Sequence, residues 1–258
     1  HRLLCFDFPP ERKAPAVSNH KNKRHMTTKN YLKISLLLIT FGLLTSCSNS
    51  NDWNRFGLNG KVKTYLERNY EAEMKFGEWE NGDIEYYGHN RVSFDSEGNY
   101  QWIEYLDDDN ELSGKLIPKR ENGDVIEEAY YDEDGELNSK TKIIHNSKEE
   151  LEFIAYNEDG EKTTQGKSYF ANKRVIRQEY QTFEDNKVKE EYTVVFEYDK
   201  DGNLVSQKQT DKKGEITYFL KFEYLAFDEN KNWTKRLNYD SEEGEEPENI
   251  LIREYEYY

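Results

Sequence analysis

The sequence predicts an all-β fold for residues 57–258, an antiparallel meander of repeated β-hairpins forming an extended, twisted or curled sheet. Three observations predict it. Apolar and polar residues alternate with the period of a half-buried strand, the alternating runs are separated by turn signals of one chemical type, and those turns recur at a nearly constant spacing.

The alternation is clearest where aromatic and β-branched residues share one side of the chain. Tyr192, Val194, Phe196 and Tyr198 fall on one face of their run, and Tyr218, Leu220, Phe222 and Tyr224 do the same in theirs. Such side chains suit a pleated surface. No long stretch after Cys47 has helical spacing; residues 66–75 come nearest, and their pattern fits a strand better.

The turns read as an aromatic residue, an acid or amide, two polar residues, then Gly. Examples are Phe94-Asp95-Ser96-Glu97-Gly98, Tyr131-Asp132-Glu133-Asp134-Gly135, Tyr156-Asn157-Glu158-Asp159-Gly160 and Tyr198-Asp199-Lys200-Asp201-Gly202. Asp or Asn bonds the turn backbone, and Gly supplies the positive φ that tight hairpins require. Degenerate copies lie at Asp109-Asn110, Asn122-Gly123, Asp185-Asn186, Lys213-Gly214 and Glu229-Asn230. Gly98, Gly123, Lys148 and Lys173 are 25 residues apart, as are Asn110, Gly135 and Gly160, and the two series interleave. One or two strands fit between turns and cannot bury a face alone, so neighbours must stack into a continuous sheet of a dozen or more strands. Wide sheets seldom stay flat, so coiling or curling is expected.

Charge narrows the function. Of 36 basic and 52 acidic residues, eight and two lie within the first 47, leaving 28 and 50 and a formal charge of −22 after Cys47. That field repels nucleic acid, which is excluded as a partner. It does not imply disorder, because 20 Tyr, 13 Phe and 4 Trp supply the apolar surface that disordered acidic chains lack. The two cysteines are Cys5 and Cys47, so beyond Cys47 neither a disulfide nor a thiolate metal site is available.

The first 47 residues have a different character. Residues 1–25 hold three of the five prolines and no periodicity, and are read as an upstream extension preceding a start at Met26. Residues 26–46 have the order of a signal peptide. Lys29 and Lys33 form a charged region, and an apolar run over 34–44 follows, too short to span a bilayer comfortably. The run ends Leu44-Thr45-Ser46-Cys47, which resembles the lipobox of bacterial lipoproteins. That resemblance implies diacylglycerol on the Cys47 sulfur, cleavage before Cys47, and a bacterial envelope location with the membrane as partner. Several acyl chains, at about 0.8 kcal/mol per buried CH₂, hold firmly where one would be marginal. Residues 47–56 are assigned to the lipidated cysteine and a polar tether that includes Ser48-Asn49-Ser50-Asn51-Asp52. Ser48, rather than aspartate, follows the cysteine, which points to the outer membrane.

The recurring Tyr-Asp-x-x-Gly-x-Leu, seen at residues 131–137 and 198–204, resembles the YD repeats of Rhs-type envelope proteins and of small Gram-negative lipoproteins built from them. The likeness covers 57–258. A single Gly77-Glu78-Trp79-Glu80-Asn81-Gly82 is similar to a MORN-type hairpin, a repeat of some antitoxin-like bacterial proteins.

Other chemistry is weaker. Asp199, Asp201 and Asn203, like Asp132, Asp134 and Glu136, look like fragments of a calcium loop. The sixth positions are Leu204 and Leu137 rather than Gly, so hairpin turns account for these acids better. His89 and His145 show no ligand spacing, and they are expected to be solvated or sheet-face residues. No Ser-His-Asp order, phosphate loop or nucleophile elbow is visible. A row of Trp53, Trp79, Trp102 and Trp233 would suit sugar stacking, whereas the simpler reading makes them the apolar side of a thin sheet. The sequence therefore predicts a lipid-anchored, non-enzymatic binding or structural scaffold without cofactor or metal. A glycan-binding accessory lipoprotein and an immunity or antitoxin-like protein are the alternatives.

Overall fold

The computed structural model describes residues 51–85 and 88–258. A single helical turn, α1 (Asp52–Arg55), precedes fifteen strands: β1 (Val62–Lys75), β2 (Glu78–Ile84), β3 (His89–Phe94), β4 (Tyr100–Leu106), β5 (Leu112–Glu121), β6 (Asp124–Asp132), β7 (Leu137–Asn146) and β8 (Glu150–Asn157). Then come β9 (Lys162–Ala171), β10 (Arg174–Glu184), β11 (Lys187–Tyr198), β12 (Leu204–Asp211), β13 (Ile216–Phe227), β14 (Trp233–Tyr239) and β15 (Asn249–Tyr257). All pairings are antiparallel, and consecutive strands are neighbours from β3 to β15. The all-β meander is therefore as expected, and residues 66–75 lie within strand β1.

The extended sheet is not. β15 returns to pair with β1, from Val62 opposite Tyr257 to Glu71 opposite Asn249, and closes fourteen strands into a barrel. β3 takes the other side of β1 at residues 64–67, and β2 takes it at residues 70–75. β2 thus stands outside the closed ring as an extra strand. Closure removes the free edges that an open meander of this width would expose. Curvature comes from bulges. The register shifts between Ser93 and Phe94, Tyr105 and Leu106, Tyr130 and Tyr131, Ala155 and Tyr156, and Glu197 and Tyr198, each close to a turn. A bulge bends its strand and increases local twist.

The two interleaved turn series occupy opposite ends of the barrel. Gly98, Gly123, Lys148 and Lys173 lie at the end where β1 begins, and Asn110, Gly135 and Gly160 lie at the other. One 25-residue unit is an up-and-down strand pair. In the longer turns a single acid organises the backbone. Asp199 Oδ1 accepts from the N–H groups of Asp201 (2.9 Å) and Asn203 (2.8 Å), while Gly202 sits at φ +87°. Burial alone would raise the Asp199 carboxyl, but the Asn203 side chain and these backbone donors hold it below its ordinary value. Asp132 accepts from Asp134 and Glu136 in the same way.

Register and burial define the inward face. Tyr65, Val92, Phe94, Ile103, Leu116 and Tyr130 continue around the ring through Phe153, Tyr180, Val194 and Phe196. Neutral polar residues are interspersed, and some bond one another: Gln178 Nε2 donates to Ser168 Oγ (3.0 Å), and Tyr180 donates its hydroxyl to Gln209 Oε1 (2.5 Å). Two glycines leave room for large rings over the sheet. On β5, Gly114 lies beneath Tyr105 and Tyr130, whose centroids are 5.6 Å apart across it. On β9, Gly166 lies between Phe153 and Tyr180.

The outward face is charged and paired across strands. Arg91, Glu104 and Lys115 form a row on β3, β4 and β5 at 3.4 and 3.0 Å, and Lys167 bridges Glu150 (3.1 Å) and Glu152. Arg68–Glu254 and Lys63–Glu256 span the closing seam at 3.3 and 2.6 Å. A transmembrane barrel needs an outward apolar band about 25 Å tall, and each Lys or Arg at its midplane would cost about 2–4 kcal/mol. Outward charges such as Arg91, Lys115 and Lys167 would carry that cost in a bilayer.

A Cβ on Gly166 would lie 2.5 Å from the Glu179 backbone oxygen, whereas one on Gly114 would meet the far end of Tyr130 at 2.1 Å. Backbone cannot step aside as a ring tip can. We expect Gly166→Ala to destabilise the barrel by about 1–3 kcal/mol and Gly114→Ala by less, as read from urea unfolding midpoints.

Candidate functional site

The segment from Asn51 to Leu58 stoppers the end of the barrel where β1 begins. Here the structure corrects the tether boundary. Residues 52–56 belong to the packed body rather than to a polar linker, because Trp53 and Phe56 join the apolar cluster of Leu58, Tyr65, Phe94 and Tyr100. One helical turn suffices to place them. The Asp52 carbonyl accepts from the N–H of Phe56 (2.9 Å), and the Trp53 carbonyl accepts from Leu58 (2.7 Å). Trp53 Nε1 donates to the Val62 carbonyl (2.7 Å). Phe56 meets Phe94 edge-on at 5.1 Å. Gly98 makes room for the indole, since a Cβ there would sit 2.6 Å from Trp53 Cε3.

Four charged side chains lock the stopper. Asp52 lies over the β3–β4 turn, where its N–H donates to the Gly98 carbonyl and its Oδ2 accepts from the Tyr100 N–H, both at 2.8 Å. Arg120 donates to the same carboxylate from β5. Arg55 Nη2 donates to Glu128 Oε1 on β6 (3.1 Å), and the Tyr100 hydroxyl donates to that same oxygen. The two guanidinium groups stack on Tyr100, 5.1 and 5.3 Å from its centroid. Two acids and two bases balance in a region where Arg55 and Glu128 side chains are 2% and 1% exposed. Burial pushes the Glu128 carboxyl above its ordinary value, against the pull of Arg55. Burial, with the Glu128 charge, also raises the Tyr100 phenol.

A second buried pair lies on the closing seam. Arg253 on β15 donates from Nε to Glu67 Oε2 on β1 (2.6 Å), and Asn90 on β3 donates to Glu67 Oε1 (3.1 Å). Arg253 also stacks over Trp233 (4.0 Å) and Tyr65 (4.4 Å). Burial by itself would raise the Glu67 carboxyl; the Arg253 and Arg236 charges outweigh it and hold the group below its ordinary value. Its contribution to stability is complete above the usual carboxylate range and is lost as pH falls below that range.

The sequence-predicted residues are not brought together. Cys47 and its lipobox, Leu44, Thr45 and Ser46, lie outside the described residues, as do the expected extension and signal peptide. His89 is buried rather than solvated. Its Nδ1 accepts from the Asn69 N–H (3.1 Å) and its Nε2 lies 2.5 Å from the Glu85 carbonyl, so both ring nitrogens are engaged. His145 is exposed on another strand. Among the described residues no group of three or more His, Cys, Asp and Glu side chains gathers as a metal site.

The tryptophans form no row. Trp53 and Trp233 are buried, and Trp79 packs on Leu237 and Ile250. Trp102 faces outward beneath Lys115 Nζ at 4.6 Å. Outward Tyr169 and Tyr156 are likewise covered, by Arg177 (5.9 Å) and Lys142 (5.7 Å). Cations occupy the ring faces a sugar would need.

Sequence reasoning missed Asp52, Arg55, Arg120 and Glu128, which look like ordinary surface charges in a chain this acidic. The available signal was the pair Trp53 and Phe56, two large aromatics where a tether should have none.

The sequence matches no protein-family model and no curated relative. Among solved structures, a porin-like protein from Bacteroides uniformis superposes with a TM-score of 0.40 at 7% identity, over 77% of this chain and 99% of that one. The Photorhabdus luminescens Tc holotoxin pore superposes at 0.17 and 13% identity, over 72% of this chain and 13% of that one. Likenesses this loose assign no activity.

Replacing Arg55 by Met leaves Glu128 buried without its counter-charge, and we expect a loss of about 3–5 kcal/mol at pH 7. Without Arg55 the Glu128 carboxyl climbs further above its ordinary value and takes up a proton as pH falls. The loss should therefore shrink between pH 7 and 5, leaving the pH-independent part from lost stacking on Tyr100. Urea titrations of both proteins across that range measure it.

Proposed function

We propose that this chain is a lipid-anchored protein of the bacterial envelope, a non-enzymatic β-barrel scaffold held to the outer membrane through Cys47. The observation that carries this reading is the position of Asn51. Only four residues beyond Cys47 in sequence, it already lies against Gly98 at the stoppered end of the barrel. Four extended residues reach at most about 14 Å, so lipid on Cys47 would hold the stoppered end against the membrane surface. The opposite turns and the β1–β2 hairpin would then project away from it.

The charged outward face supports attachment by lipid rather than by immersion of the strands. Buried, bonded polar groups and engaged histidine nitrogens support a structural or binding role over catalysis. The YD-repeat resemblance is compatible with the same reading, since the repeated turns set the barrel's rims.

Labelled palmitate should enter the wild-type protein in a Gram-negative host and be absent from Cys47→Ala. Equal labelling of the variant would overturn the anchor.

A further inference from the structure

We propose that the outer edge of β2 is a docking edge for a basic, extended polypeptide segment, which adds as a third strand to the β1–β2 hairpin. The inference does not depend on how the chain is anchored. β2 pairs with β1 alone, so it is the open edge of a sheet that is otherwise closed. The two-residue turn at Phe76 and Gly77 makes Lys75 and Glu78 a hydrogen-bonded pair. Ladder alternation then directs the backbone groups of Trp79 and Asn81 outward.

The hairpin has two unlike faces. Ala72 and Trp79 pack down on Leu237, Tyr239, Ile250 and Ile252 of the barrel's outer wall, which fixes the hairpin in place. The other face carries Glu71, Glu73, Glu78 and Glu80, with Asp83 and Glu85 beyond. Lys75 on that face is already bridged to Glu73 at 2.6 Å. On β3 to β5 and on β8 and β9 outward acids meet cations on the neighbouring strand. Here the neighbouring strand is missing, and the Glu85 carboxyl, part-buried and close to Glu71, is pushed above its ordinary value.

Complementarity chooses the occupant. The outward Trp79 carbonyl accepts from the Lys235 ammonium at 3.1 Å, so this edge already draws a cation from the barrel wall. A second copy pairing edge to edge would set Glu78, Glu80 and Asp83 against one another, which disfavours self-association. A strand with Lys or Arg at alternate positions would set those charges beside Glu80 and Glu78 while its backbone bonds the outward Trp79 N–H and the N–H and carbonyl of Asn81. At the tip, Phe76 holds φ +54° with its ring wholly in solvent. Bulky residues rarely adopt that conformation, and it sets an apolar group at the end of the docking edge.

The test uses the full-length protein in detergent and a fluorescein-labelled octapeptide of alternating Lys and Val, followed by anisotropy. The proposal expects saturable binding that weakens roughly tenfold in Asn81→Pro, which removes one outward N–H but no bond to β1, and in Glu80→Lys. The same peptide N-methylated at alternate backbone nitrogens along one edge keeps its charge and should also bind roughly tenfold more weakly. Circular dichroism should show both variants folded, since β2 lies outside the closed ring; if Asn81→Pro is unfolded, Glu80→Lys and the methylated peptide decide. Equal affinity for the methylated and unmethylated peptides would mean diffuse charge attraction and overturn the docking edge. So would an absence of binding at millimolar peptide, or a dimer in sedimentation that Glu80→Lys strengthens.

Discussion

The pairing of β15 with β1 is the interaction on which the rest of this structure depends. It joins the first and last strands across nearly all of the described residues, from Val62 with Tyr257 to Glu71 with Asn249. Without it the molecule would be a wide open sheet with two long edges and one wet apolar face. With it, every strand of the ring has two neighbours, and the alternate residues that face inward are withdrawn from water together. The seam is reinforced on both faces. Glu67 and Arg253 pair inside, while Lys63 with Glu256 and Arg68 with Glu254 pair outside. Contacts between residues so far apart in sequence carry a large loop-closure cost, so the seam is the part of the fold least supported by local structure.

Closure also explains the unusual interior. Apolar residues share the inward face of the fourteen-stranded ring with amides, hydroxyls and two buried ion pairs. Several of the neutral groups bond one another: Gln178 with Ser168, Tyr180 with Gln209, Asn238 with Asn249 at 2.7 Å. Glycine has a complementary role. Where Tyr105 and Tyr130, or Phe153 and Tyr180, converge from the two sides of one strand, the middle strand presents Gly114 or Gly166 beneath them. Large rings and absent side chains together make up an inner layer that neither could form alone.

The repeat was legible in the sequence because turn chemistry is local. Asp132 and Gly135, or Asp199 and Gly202, announce their turn within five residues, and a spacing of 25 announces an up-and-down pair. Strand faces were legible for the same reason, and Tyr192, Val194, Phe196 and Tyr198 do share the inward face. Closure was not legible. Residues 62–71 and 249–257 read as strands, yet alternation does not name the partner across the seam. The stopper escaped too, since α1 is a single turn without helical periodicity, and Glu128 becomes distinctive only when Arg55 arrives from 73 residues away. Interactions between distant, individually ordinary charges leave no pattern in a sequence this rich in acids.

One consequence of closure concerns direction. An even number of strands in an up-and-down ring returns the chain to the end where it started, so residues 59–61 and the final residue meet. Tyr258 N–H donates to the Lys61 carbonyl (3.0 Å), and its hydroxyl donates to the Phe94 carbonyl (2.8 Å). Asn59 and Asn232 exchange bonds beside them at 2.7 and 2.9 Å. The end that α1 fills is therefore also the end that Asn59, Lys61 and Tyr258 brace. At the far end β1 runs past its seam partner and turns back as β2. The barrel is polar in the geometric sense, fixed at one rim and elaborated at the other, and this asymmetry follows from strand parity and from the length of β1 alone.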